Sequence, residues 1–126
     1  MSGESVVERA CRLPCDFREL GNFSAFDLVR RSGYLDAPET LTPQAAADFL
    51  RRSPFLVEDW LIWSADKRVG SGWAFYEMGG RYVIELVPTG KKNKLILADK
   101  FLACAEYVVR ELRWIAGYIS GSHGMA

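Results

Sequence analysis

Histidine is almost missing from this sequence: the 126 residues contain one, His123, close to the end of the chain. Acid–base and nucleophilic catalysis near neutrality lean on a positioned imidazole. Residues 120–126, rich in Gly and Ser, look like a flexible tail that holds no side chain in place. An enzyme is therefore not expected. Cysteine is scarce as well, and Cys11, Cys15 and Cys104 are an odd number at no disulfide or metal spacing. A Cys-x3-Cys pair without a second pair or nearby histidines offers too few ligands for structural zinc. Neither a metal nor a cofactor is expected, and free thiols argue for a reducing compartment. No apolar run approaches the ~18 residues of a membrane span, and no charged-then-apolar leader opens the sequence. The expected location is cytoplasmic, with no membrane partner. Charge of one sign is absent too, since sixteen basic residues balance sixteen acidic ones. Such a chain has no global field to draw in nucleic acid.

About half of the residues are apolar (49%), with four Trp, five Tyr and seven Phe. That is enough for one core burying roughly two thirds of the unfolded surface, so residues 1–126 read as a single domain. Charge is unevenly spread. Met1–Trp63 carries seven basic against ten acidic residues, a net of −3, and Ser64–Ala126 nine against six, a net of +3. A partner surface is expected to be local.

Along the chain, residues 1–21 show no clean period, and Pro14 interrupts a possible helix from Ser5 to Leu13. This arm is read as weakly specified. Ser24 and Asp27 form a capping-box pattern opening a short helix that Gly33 closes, with Phe26, Leu28 and Val29 inward. A loop from Tyr34 to Leu41 follows. Thr42-Pro43 starts a second helix running to Arg52, with Ala46, Phe49 and Leu50 on its inner face. Ser53-Pro54 repeats the device before a third, in which Phe55, Leu56, Trp60 and Trp63 make the stripe. Glu58-Asp59 in its middle disfavours the competing strand.

Two alternating segments from Trp73 to Val87 flank Gly79-Gly80, the signal of a two-residue hairpin. Pairing Met78 with Arg81 places Trp73, Phe75, Glu77, Tyr82, Ile84 and Leu86 on one face, nearly all apolar, which should pack on helices. Leu95–Ala98 reads as a third strand, and Asp99 caps a long helix from Lys100 to about Tyr118. The expected fold is α+β: a helical N-terminal half, a three-stranded antiparallel β-meander, and a long C-terminal helix packed on the sheet.

Sites of chemistry are few. Gly70, Gly72, Gly79, Gly80 and Gly90 never fall between a strand and a following helix as a phosphate loop requires. Adjacent carboxylates Glu58 and Asp59 point about 100° apart on a helix and cannot flank one scissile bond. The lysines of the tip Lys91-Lys92-Asn93-Lys94 suit a solvated turn better than nucleic-acid binding. The distinctive stretch is Trp60 to Trp73, where a helix runs through Asp66-Lys67-Arg68 straight into a strand. One reading is structural, with Asp66 bracing the turn, Arg68 lying over an indole, and Gly70 and Gly72 allowing a tight path. The other makes Glu58, Asp59, Trp63, Asp66, Lys67 and Arg68 a docking surface, since Trp and Arg concentrate binding energy.

The order helix, Trp60-x-x-x-Ser64-x-Asp66-Lys67-Arg68, Gly72-Trp73-x-Phe75 on a strand, meander and closing helix resembles small bacterial proteins of uncharacterised or immunity type. The likeness spans roughly Leu41 to Ile119. It implies a non-enzymatic inhibitor of a co-encoded toxin, bound through Asp66 to Arg68. Two alternatives stay open. One is a small-molecule pocket between sheet and helices, larger than ~300 Å³ with converging polar groups. The other is a homodimer through the outer sheet face of Tyr76, Met78 and Val83.

Overall fold

The computed structural model describes residues 5–66, 72–87 and 94–120. They form an α+β structure of six helices and one antiparallel sheet in the order β1-β2-β3. From Ser5 onward the N-terminal arm is helical. Ser5 and Glu8 make a capping box at the start of α1 (Val6–Cys11), and α2 (Leu13–Leu20) follows after a break at Arg12. Pro14 lies in the first turn of α2, where no N–H is needed, so it starts a helix instead of ending one. Ala10, Cys11, Leu13 and Cys15 are buried, which makes this arm part of the core.

The capping box of Ser24 and Asp27 opens α3 (Ala25–Ser32), and Gly33 closes it in the left-handed conformation. Leu28 and Val29 face inward as expected, but Phe26 is 43% exposed. Between Tyr34 and Leu41, both buried, the chain makes a 3-10 turn at Pro38–Thr40. Thr42 accepts from the amide of Ala45 to cap α4 (Pro43–Arg52), which buries Ala46, Ala47 and Leu50. α5 (Phe55–Asp66) is a helix. It begins one residue after Pro54 and buries Leu56, Val57 and Trp60, while Phe55, expected inside, points to solvent.

The hairpin has the expected register, from Met78↔Arg81 to Gly72↔Val87, joining β1 (Gly72–Met78) to β2 (Arg81–Val87). Gly79 and Gly80 both take positive φ, 61° and 81°, as a two-residue turn with the strands' own twist demands. β3 (Lys94–Leu97) lies one residue earlier than expected and pairs with β2. Asp99 accepts from the amides of Phe101 and Leu102 to cap α6 (Lys100–Ser120). Burial alone would raise the Asp99 pKa, but those two amides and the Arg51 guanidinium outweigh it and hold it below the ordinary aspartate value.

α6 is the central element, touching α1, α3, α4 and α5 as well as all three strands. Its Ala103, Cys104 and Ala105 are fully buried, as are Ala46 and Ala47 of α4, a helix it packs against. Burial pushes the Cys11 thiol up to about 12 and the Cys104 thiol well above its ordinary value. On the outer sheet face Val83 is buried at 2% exposure, so the apolar groups that face offers are Met78 and Ile96. The Tyr76 hydroxyl donates to Glu85 at 2.8 Å, and Lys94 lies 3.6 Å from Glu85, which draws a polar row across it. Among the described residues no helix is long and apolar enough to cross a membrane. Lys67, Arg68, the tip lysines Lys91 and Lys92, and His123 lie outside the described residues.

Candidate functional site

The residues of α5 divide between two environments, because successive side chains on a helix point about 100° apart. Trp60 faces the core. Its Nε1–H donates to the carbonyl of Cys11 at 2.8 Å, and its ring meets Trp63 and Tyr107 edge-on at 5.7 Å each. Tyr107 in turn stacks on Phe75 at 5.3 Å, so an aromatic chain runs from α5 through α6 to β1. Ser64 ties the same helix to the sheet by accepting from the Phe75 amide at 2.8 Å. The sequence pattern Trp60-x-x-x-Ser64 is therefore a structural clasp between α1, α5 and β1.

On the other side of α5 lies a groove of about 840 Å³, walled by α2, the residues joining α2 to α3, and the C-terminal half of α5. Its apolar lining includes Pro14, Phe17, Phe23, Ile62 and Trp63. Phe17 and Trp63 meet edge-on at 5.5 Å, and Phe17 and Ile62 remain 43% and 54% exposed. Arg31 from α3 lies over the ring of Phe23, 4.4 Å from its centroid. Three charged side chains complete the lining: Arg18, Asp59 and Asp66.

Asp59 is the most confined of them. Its side chain is 12% exposed, and Oδ1 accepts from Arg18 at 3.3 Å, a guanidinium that is itself 58% exposed. Oδ2 is closed to solvent and has no hydrogen-bond donor among the described residues. A buried acceptor without a donor costs about 1–3 kcal/mol, set against the ion pair that the other oxygen makes with Arg18 across α2 and α5. Beneath the groove, Trp63 donates its Nε1–H to Glu111 at 2.9 Å. Glu111 is 2% exposed, on a stretch of α6 otherwise apolar on that face, and it fixes the plane of the indole that walls the groove.

The structure thus brings together three of the six residues singled out in the sequence, Asp59, Trp63 and Asp66. Glu58 does not join them. It lies towards the sheet, where burial, then Glu77 and Glu58, raise the pKa of Tyr82. Phe17, Arg18, Phe23 and Glu111 were missed, since nothing in local spacing links residues 41 or 48 positions apart. The arginine expected over an indole, Arg68, lies outside the described residues; among those described, Arg110 stands 5.3 Å from the centroid of Trp73. Gly72, at φ 128°, passes so close to α6 that a Cβ would stand 3.3 Å from Nε1 of Trp114.

Two other places carry ligand-type groups or a hollow. Cys15, Asp16 and Glu19 hold ligand-type atoms within 4.8 Å of one another. Burial and then the Glu19 carboxylate raise the Cys15 pKa, however, so the thiol stays protonated and donates to Glu19 at 3.5 Å, while Arg12 pairs with Asp16 at 3.8 Å. Between α5 and β1 a hollow of about 410 Å³ is lined by Leu61, Ala65, Ala74 and Phe75, and its Ser64 hydroxyl is engaged by the strand. Polar groups do not converge there as a small-molecule site requires. No protein-family model matches the chain, and no curated protein or solved structure matches it either.

Proposed function

We propose that this chain is a non-enzymatic protein-binding domain that docks its partner in the α2–α5 groove. The inhibitory role of an immunity-type protein is the form the reading takes. The observation that carries it is the groove itself: exposed Phe17 and Ile62 beside Trp63, framed by charged side chains. Contiguous exposed apolar surface rimmed by polar groups is what protein interfaces look like before they close. The bond from Trp63 to Glu111 supports it further, because a pre-oriented indole loses little freedom on binding.

The test is affinity capture from native lysate at low and high salt, with wild type and Ile62→Glu side by side. A stoichiometric, salt-sensitive protein held by wild type and lost by Ile62→Glu is the expected result. Equal retention of the same proteins by both would reject this groove.

A further inference from the structure

The charges of the groove point to the chemistry of the partner, an inference that rests on the docking reading above. Among the described residues lining the groove the charged ones are Asp59, Asp66 and Arg18, with Arg31 close by over Phe23. Arg18 reaches one oxygen of Asp59 from a largely solvated position. Ion pairs of this exposed kind are worth little, so an incoming cation exchanges with Arg18 at small cost. The other oxygen of Asp59 is closed to solvent and has no donor among the described residues, so a guanidinium on Oδ1 reaches it only once the carboxylate turns. A guanidinium carries donors in a planar fork that matches two carboxylate oxygens, and its flat face packs on aromatic rings. The domain already does the latter for itself, with Arg31 against Phe23 on the wall of the same groove.

We infer that the groove receives an arginine side chain from a basic segment of the partner protein, its guanidinium replacing Arg18 on Asp59 and its stem lying between Phe17 and Ile62. Arg18 then acts as an internal competitor, held in place until the partner arrives. When displaced, it remains close to Glu19, which already contributes to its environment.

The experiment is to pan a displayed library of short random peptides against the intact domain, synthesise the winners, and measure their affinities for four proteins. These are wild type, Asp59→Asn, Arg18→Ala and Ile62→Glu, each confirmed as folded by circular dichroism. The expected winners carry arginine beside an aromatic or aliphatic residue, and citrulline in its place weakens them about tenfold or more. Asp59→Asn costs a similar factor. Arg18→Ala strengthens binding several-fold, a sign that a merely supporting arginine would not give. Winners without basic residues, or a loss of affinity in Arg18→Ala, would overturn the inference. So would sedimentation showing a dimer that Asp59→Asn disperses, because the occupant would then be a second copy. Winners that need Ile62 but not arginine would sink the arginine alone, whereas winners indifferent to Ile62→Glu would sink the groove with it.

Discussion

Two helix pairs in this molecule meet in opposite ways. Where α4 packs on α6, small residues are buried on both helices, Ala46 and Ala47 on one and Ala103, Cys104 and Ala105 on the other. Where α2 meets α5, the facing residues are Phe17, Arg18, Asp59 and Trp63, and a groove remains between them. Small side chains let backbones approach and leave no polar atom to satisfy; large aromatics and charges hold the helices apart. The first contact is built to close and the second to stay open. In a chain of marginal stability, the open one is the contact that asks for a reason.

That contrast is open to direct attack, beginning with the sealed side. Trp60→Ala removes a fully buried indole and its bond to Cys11, and should cost about 3–5 kcal/mol in denaturant unfolding. A cost below that of an ordinary surface change would mean the core around α1 is not closed. Ala47→Leu asks for room where none exists and should cost about 1–3 kcal/mol, with the midpoint lowered and the slope unchanged.

On the groove side the effects shrink. Ser24→Ala removes the hydroxyl that caps α3, at about 0.5–2 kcal/mol by thermal melting. The same cap works through pH: the Ser24 amide, and then its hydroxyl, hold Asp27 below the ordinary aspartate value. A carboxylate with a depressed folded pKa stabilises above its unfolded value, and that share is lost as pH falls through the folded one. Wild type and Asp27→Asn should therefore differ at neutral pH and converge in strong acid. A gap that widened in acid would contradict the cap. Ile62→Glu, at a site 54% exposed, should change stability by no more than about 0.5 kcal/mol while abolishing partner capture. A large loss of stability there would show that Ile62 belongs to the core, and the comparison would collapse.

What could be read from the sequence was what local chemistry decides. Ser24 with Asp27, Thr42 with Pro43, and Asp99 each start a helix by satisfying amides within three residues, and Gly79-Gly80 sets the register of a hairpin by its own dihedrals. α1 and α2 escaped because each is too short to show a period and Pro14 resembles a breaker until its place in the first turn is known. Phe26 and Phe55 were assigned inward on hydrophobicity alone, although a folded surface always keeps some apolar area. The site was half legible. Asp59, Trp63 and Asp66 stand on one helix and share a face, but the wall opposite them comes from α2, and chain separation hides it. Glu111 was invisible for another reason: a lone acid in a helix reads as a solvated one until its donor, Trp63, is seen across the core.

The three cysteines give the molecule a built-in clock. Cys11 and Cys104 are fully buried, and burial raises both thiol pKa values, so an alkylating reagent reaches them only when the structure opens. Cys15 sits on α2, a wall of the groove, and is 4% exposed. Loosening of α2 alone would expose Cys15 while its two companions stay closed. The order in which the thiols are labelled, followed by mass spectrometry, therefore separates a local breathing of that helix from unfolding of the whole, with no probe added to the chain.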